Sequence, residues 1–349
     1  MPRPGRILLT GIGGNTAQGV ARSLLKFPEE FRIIGTDSDK YNVRFGLNYT
    51  KKVYLTPHAN NEEYIPTLSK IVGKESVDLV IPSPDPEVYE ISKHKNEIDA
   101  QVFLPNHKTL DISQDKWSTY QTLRNSVMQP KPFLISNHED LANTFTQISG
   151  LVWLRDRKGA GGANSFLAHN LEQARFWIEY CRGYGKIIAS EFLQGRNLGW
   201  IGLYKNGELI TSGGYHRLRY YLEKISPSGV TGTINVGVTI HDSKLNWVAE
   251  HSVQALDREP NGVYTVDLKG DGRPVTTEVN AGRFHMSFYV YTEAGLNLPY
   301  YYAKLALGEE FELPPKRNAL KSGIATIRSM DNEQMVFSIQ DLGRNILLS

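Results

Sequence analysis

Leu154-Arg155-Asp156-Arg157-Lys158-Gly159-Ala160-Gly161-Gly162-Ala163-Asn164-Ser165 is a basic, glycine-rich loop that follows a short apolar run, Leu151-Val152-Trp153-Leu154. Glycines let successive backbone N–H groups turn toward one anion, and Arg155 and Lys158 supply the charge that a polyphosphate demands. Ser165-Phe166-Leu167-Ala168 reads as a returning strand, which makes the loop the tip of a hairpin. A Walker-type loop would instead follow a parallel strand and enter a helix. The stretch therefore reads as a mobile flap that clamps a nucleotide.

Helical patterns flank this hairpin. Ser113 is placed to cap a helix carrying Trp117, Tyr120 and Leu123, which ends before Pro130-Lys131-Pro132. Asn137-His138-Glu139-Asp140 opens a second helix with Leu141, Phe145 and Ile148 inward, stopped by Gly150. Asn170-Leu171-Glu172-Gln173 has capping-box spacing, and Leu171, Ala174, Ile178 and Cys181 share one face, so Cys181 reads as a core thiol. Beyond residue 186 the chain alternates strands and turns, with turns at Lys205-Asn206-Gly207 and Gly270-Asp271-Gly272 and helices near 244–256 and 299–307. That half reads as an antiparallel sheet.

Residues 7–106 have a different texture. Arg6-Ile7-Leu8-Leu9-Thr10 and Phe31-Arg32-Ile33-Ile34-Gly35-Thr36-Asp37 are apolar runs separated by Ala17, Val20, Ala21, Leu24 and Leu25 at helical spacing. Strands at 77–82 and 101–105 continue the pattern, which predicts a parallel, doubly wound sheet. The turn Gly11-Ile12-Gly13-Gly14-Asn15-Thr16-Ala17-Gln18-Gly19 has dinucleotide character, with Asp37 where a ribose-binding acid belongs, but Thr16 holds the third glycine's place. The other reading is that these glycines only let a helix start close to a strand.

Length and composition bound the rest. A chain of 349 residues exceeds one ordinary core and predicts two or three packed units. Apolar content of 40% and charged content of 22% are those of a soluble globular protein. No run approaches the roughly 20 apolar residues of a membrane span, and Ile7-Leu8-Leu9 is too short for a signal sequence's apolar core. A single cysteine suits a reducing cytoplasm, and a net charge of +2 does not point to nucleic acid.

The chemistry gathers at a second hairpin. Asp267 and Glu278 flank the Gly270-Asp271-Gly272 turn, and Asn280, two residues after Glu278, points to the same face. This oxygen set suits Mg²⁺ held against phosphates, although spacing alone slightly favours ordinary exposed strand residues. Arg217 and Arg219, two apart, read as a pair sharing a face to grip a carboxylate, or as a solvated strand edge. Residues 228–233 read as a lid or a surface loop. His216, His241, His251 and His285 show no metal spacing.

The ordered set Asp115-Lys116, Arg155 to Gly162, Glu191-Phe192-Leu193-Gln194-Gly195, Asp267 and Glu278-Val279-Asn280 resembles the ATP-grasp superfamily. It is most similar to single-unit relatives of the carbamoyl phosphate synthase large subunit, of carboxylate-amine ligase type. The resemblance spans nearly the whole chain. It implies a mixed α/β and α+β fold: a pre-ATP-grasp doubly wound domain over 1–112, a small lobe with the glycine-rich loop over 113–187, and a large lobe with the metal site over 188–349. It further implies that ATP is bound by Lys116, Arg155, Lys158, Gly159, Gly161, Gly162, Glu191, Phe192, Leu193 and Asn197. Asp267, Glu278 and Asn280 become ligands of Mg²⁺, two ions in the family pattern, with Mn²⁺ as a substitute. Arg155 and Arg283 become the catalytic cations. Asp156 replaces the usual proline, Asn197 stands where relatives carry an acid for the ribose, and Arg283 falls one place later than usual. Arg217 and Arg219 remain candidates for a substrate carboxylate. The implied reaction is ATP-dependent ligation of a small carboxylate and an amine through an acyl phosphate, by a cytoplasmic homodimer without nucleic-acid or membrane partners. The rival readings are an NAD-dependent oxidoreductase built on the turn at 11–19, and a nucleotide-binding module without catalysis.

Overall fold

The computed structural model describes residues 3–159, 161–162, 164–230, 232–329 and 335–341. Strands β1 (Gly5–Leu9), β2 (Phe31–Asp37), β3 (Val53–Leu55), β4 (Leu79–Ile81) and β5 (Gln101–Val102) form an all-parallel sheet ordered β3-β2-β1-β4-β5. Ile7, Leu8 and Leu9 are all buried because helices cover both faces. Helix α1 (Asn15–Leu24) packs with Ile7 and Leu9, while α2 (Tyr64–Glu75) and α3 (Asp85–Lys93) pack with Leu8 and Val80.

Helices α4 (His107–Ser113) and α5 (Lys116–Leu123) follow, and their junction corrects the cap expected at Ser113. Ser113 is the last residue of α4. Asp115 caps α5, accepting from the amides of Trp117 and Ser118 at 3.0 and 3.2 Å, where its carboxylate also meets the positive end of the helix dipole.

The small lobe comprises β6 (Phe133–Leu134), α6 (His138–Gln147), β7 (Val152–Asp156), β8 (Phe166–Ala168), α7 (Leu171–Tyr180) and β9 (Ile187–Glu191). Its antiparallel sheet runs β6-β9-β7-β8, and Leu141, Val152, Leu154, Ile178 and Ile187 belong to a core of its own. The chain enters this lobe through residues 124–132 and leaves through 192–196.

The large antiparallel sheet is built from β10 (Asn197–Lys205), β11 (Glu208–Tyr220), β12 (Ile234–Ile240), β13 (Gly262–Lys269), β14 (Val275–Ala281), β15 (Ile324–Ile327) and β16 (Met335–Ser338), ordered β14-β13-β10-β11-β12-β15-β16. Asn206 and Gly207 both take positive φ, 50° and 84°, the conformation that a tight β10–β11 hairpin requires. Helix α8 (Ser243–Leu256) packs on this sheet, and α9 (Tyr289–Glu293) and α10 (Leu298–Leu307) lead from β14 back to the N-terminal unit. There the hydroxyls of Ser23 and Thr292 meet at 2.9 Å, and the Asn297 amide donates to the Ser23 carbonyl at 2.8 Å. The N-terminal unit and large lobe share their apolar cores: Leu8 and Ile34 cluster with Trp200 and Leu245, and Ile7 and Leu9 with Ile201 and Tyr302. Two of the three units thus form one block, against which the small lobe is packed separately.

Candidate active site

The register of β13 and β14 places Asp267 directly opposite Glu278 and Thr265 opposite Asn280. Both carboxylates and the Asn280 amide line one cleft of about 560 Å³ between the lobes. Asp267 also lies opposite Gly199 of β10, and a Cβ at Gly199 would stand 2.9 Å from a guanidinium nitrogen of Arg217. That missing side chain opens the path by which Arg217 crosses from β11 to bond Asp267. Burial opposes the Arg217 charge, but Asp267 outweighs it and raises the pKa. Glu278 faces Lys116 at 3.6 Å and Arg155 at 3.9 Å. Arg155 also donates to the Thr277 carbonyl at 3.0 Å, while its buried Nε has no partner among the described residues. Burial lowers the Arg155 pKa, opposed by Glu278 and Asp267.

Among the described residues no group of three or more His, Cys, Asp or Glu side chains is placed to hold a metal ion. Two carboxylates and one amide are hard oxygen donors too few to enclose a cation alone. They fit Mg²⁺, which keeps most of its sites for water and phosphate oxygens, and the orphaned Arg155 Nε beside them fits an oxyanion.

Across the cleft, Gly159, Gly161 and Gly162 take positive φ at the tip of the β7–β8 hairpin. Asp156 accepts from the Asn164 amide at 2.9 Å, which ties the two legs of the loop together and accounts for an acid where a proline was expected. Lys116 donates to the Gly159 carbonyl at 2.8 Å, and Arg157 grips both oxygens of buried Asp115 at 2.8 and 2.9 Å. The loop before β12 rests on the hairpin, the Gly232 amide donating to the Gly161 carbonyl at 2.8 Å.

At the other end, Trp153, Glu191, Phe192, Leu193, Asn197 and Lys269 line the cleft. The Phe192 amide donates to the Leu151 carbonyl at 3.1 Å, so of the two expected hinge amides only that of Leu193 lacks a partner among the described residues. Lys269 lies 4.3 Å from the centre of the Phe192 ring, and burial lowers its pKa. Lys269 was legible as the same-face neighbour of Asp267 but was not singled out.

Beyond the carboxylates the cleft ends on Arg283, His285 and the loop Ser83-Pro84-Asp85 at the carboxyl end of β4. Gly282 turns with φ 84°, which delivers the late-placed Arg283 to Asp85 and, at 3.4 Å, to the Asn280 side chain. The Ser287 amide donates to His285 Nδ1 at 3.2 Å, leaving Nε2 as a buried donor with no partner among the described residues. Burial and then Arg217, Arg283 and Arg328 push its pKa well down, so the ring is neutral. Asp85 follows from the rule that ligands meet open sheets where the strand order reverses, here between β1 and β4. His285 carried no such signal.

Three expectations are corrected. Arg219 does not join Arg217: a bulge at Leu218 breaks the alternation, and Arg219 turns away to Asn235. Lys158 is exposed and lines a neighbouring opening beside Gly159 instead of the main cleft. The glycine turn at 11–19 is closed by the protein itself. Asp37 accepts from the amides of Gly13 and Asp39 at 2.9 Å each, a Cβ at Gly13 would meet the Asn42 backbone at 2.4 Å, and one at Gly11 would meet Pro84 at 2.5 Å. The oxidoreductase reading loses its site.

A parallel-sheet unit followed by two antiparallel lobes that close on one cleft is found in solved structures covering nearly all of the chain. Carboxyaminoimidazole ribonucleotide synthase from Aspergillus clavatus, in complex with ATP, matches 93% of this chain and 81% of its own at 14% identity with a TM-score of 0.71. The chain has the ATP-grasp fold. The biotin carboxylase domain of Hydrogenobacter thermophilus 2-oxoglutarate carboxylase, in complex with MgADP and bicarbonate, matches 94% of this chain and 74% of its own at 12% identity and a TM-score of 0.71. Phosphoribosylglycinamide synthetase from Anaerococcus prevotii matches 93% and 80% at 14% identity and 0.63. Residues 7–103, which hold nearly all of the parallel-sheet unit of this chain, match the family model of the PylC-like N-terminal domain. No curated protein sequence matches the chain significantly.

Proposed function

We propose that the protein is an ATP-dependent ligase that joins a small-molecule carboxylate to an amine through an acyl phosphate, with release of ADP and phosphate. One observation carries this reading: Asp267 opposite Glu278, with Asn280, faces the glycine hairpin in a single cleft that continues to Arg217 and Arg283. Lys116, Arg155 and the hairpin amides hold the β- and γ-phosphates, Glu191 and the Leu193 amide hold the adenine edge, and Asn197 takes a ribose hydroxyl. Asp267, Glu278 and Asn280 hold Mg²⁺, two ions at full occupancy with Mn²⁺ as a substitute. The bound metal supplies positive charge against the transferring phosphoryl group.

Arg283, oriented by Asp85, and Arg217 position the substrate carboxylate so that one of its oxygens attacks the γ-phosphorus in line and the bond to the ADP oxygen breaks. Arg155 offsets the charge that develops. The closed hairpin excludes water, which would otherwise hydrolyse the acyl phosphate before the amine attacks its carbonyl carbon and phosphate leaves. Positioning and electrostatics carry the reaction, and neutral His285 adds a hydrogen-bond donor at the substrate end. The protein is further inferred to be a homodimer in the cytoplasm; among the described residues no helix is long and apolar enough to cross a membrane. Incubation with MgATP, a panel of carboxylic acids and hydroxylamine tests the reading. ADP release coupled to hydroxamate is expected for at least one acid, and ADP release without hydroxamate across the panel contradicts it.

A further inference from the structure

A second pocket, of about 690 Å³, opens at the carboxyl end of α5, between residues 124–129, the start of α8 and the β13–β14 turn. Arg124, Lys244 and Arg273 line it together with Trp247, Met128 and Tyr120, and no carboxylate does. None of the three cations makes an ion pair among the described residues, and the adjacent acids Asp242 and Asp271 face Arg196 instead, at 3.7 and 3.2 Å. Trp247 is 55% exposed and Met128 48%, large apolar groups that would ordinarily be covered. His251, outside the pocket, stacks on Trp247 at 3.9 Å between ring centres and holds the indole in place.

We propose that this pocket binds a nucleotide-like ligand, a planar aromatic ring carrying phosphate, and that its occupation biases the movement of the small lobe. Three positive charges around one opening, none in an ion pair among the described residues, match an anion of more than one charge, which a phosphate is at neutral pH. A fixed, open indole matches a planar ring, as in base stacking on tryptophan. The volume is that of a small-molecule site.

The position of the pocket gives it leverage. Residues 124–129 link α5, which begins with Lys116 in the catalytic cleft, to the first strand of the small lobe. The Thr276 amide donates to the Met128 carbonyl at 3.0 Å, tying this hinge to β14 two residues before Glu278. A phosphate bridging Arg124 of the hinge and Arg273 of the β13–β14 turn clamps the entry hinge to the metal hairpin.

The test is calorimetric titration of AMP into the full chain and into Lys244→Glu/Arg273→Glu and Trp247→Ala, with adenosine and inorganic phosphate as control ligands. All the substituted side chains are exposed, and unchanged melting temperatures verify intact folds. AMP affinity is expected to fall at least tenfold in the double variant and severalfold in Trp247→Ala, with both control ligands weaker than AMP on the unsubstituted chain. No AMP binding, or binding that survives the double variant because it occurs in the catalytic cleft, overturns the site. The lobe coupling rests on the ligase reading and is tested separately. AMP is expected to shift KM for ATP at least threefold in the hydroxamate assay on the unsubstituted chain alone, and AMP binding without that shift overturns the coupling while leaving the ligase reading intact.

Discussion

Replacing Gly232 by alanine separates the loop before β12 from the glycine hairpin at one known point. The Gly232 amide bonds the Gly161 carbonyl at 2.8 Å, and a Cβ on Gly232 would lie 2.4 Å from the Gly161 Cα. Ordinary contact begins at 3.4 Å, and the opposing atom is backbone that no rotamer change can move, so the two loops part by about 1 Å. Gly232 is not among the positive-φ glycines, so alanine adds no backbone strain of its own. The loss is then one net hydrogen bond, about 0.5–1.5 kcal/mol, taken from the hairpin arrangement seen here, which is the one proposed to capture ATP. That converts to a rise in KM for ATP of roughly 2- to 13-fold. Because both partners are surface loops, stability should stay within about 0.5 kcal/mol of the unsubstituted chain. Steady-state ADP release across an ATP series, beside a thermal melt, measures both quantities. An unchanged KM would show that the contact has no part in ATP capture, and a large fall in melting temperature would show that it is structural.

Other substitutions probe the remaining parts. Glu278→Gln should eliminate turnover, and urea denaturation should show a loss of about 1–3 kcal/mol, because Lys116 and buried Arg155 lose the carboxylate they face. Glu87, buried beneath the N-terminal sheet's loops, has its pKa raised from 4.5 to about 7, chiefly by burial. The folded state therefore holds a proton that the unfolded chain releases between those pH values. The associated stability, at most about 3 kcal/mol, is fully present below pH 4.5 and is lost as pH rises through 7. Glu87→Gln should flatten that part of the melting-temperature profile, and an unaltered slope would remove Glu87 as its source. Arg217→Ala should reduce kcat/KM for the acid at least tenfold while Arg219→Ala stays within about twofold, since only Arg217 reaches the cleft; equal losses would place both arginines on the substrate.

The metal hairpin was legible as far as its turn, since Gly270 and Gly272 put Asp267 and Glu278 on neighbouring strands. Counting outward from Lys269 opposite Val275 and Leu268 opposite Thr276 would pair Asp267 with Thr277, and an irregularity between Asp267 and Leu268 is what brings Glu278 opposite Asp267. A second irregularity lies one hairpin away. Nothing in Tyr215-His216-Arg217-Leu218-Arg219 announces the bulge, and one inserted residue is enough to turn Arg219 out of the site. β12 carries Ile234, Val236, Val238 and Ile240 in alternation, and what its sequence does not show is why Gly237 stands on the other face: a Cβ there would meet the Tyr215 ring at 2.3 Å. Asp156 could be noticed as an anomaly but not explained, since its partner Asn164 comes near only when the hairpin closes. The shared cores of the N-terminal unit and large lobe were equally hidden, because amphipathic spacing tells that a face is buried and not against which element.

The central claim is that a substrate carboxylate oxygen attacks ATP to form an acyl phosphate in this cleft. Once an acid that supports hydroxamate formation is in hand, both of its carboxylate oxygens can be labelled with ¹⁸O and the released phosphate analysed by mass after a full turnover with the amine. One ¹⁸O atom per phosphate, with ADP as the nucleotide product, is the predicted result. Unlabelled phosphate, or AMP in place of ADP, contradicts the account.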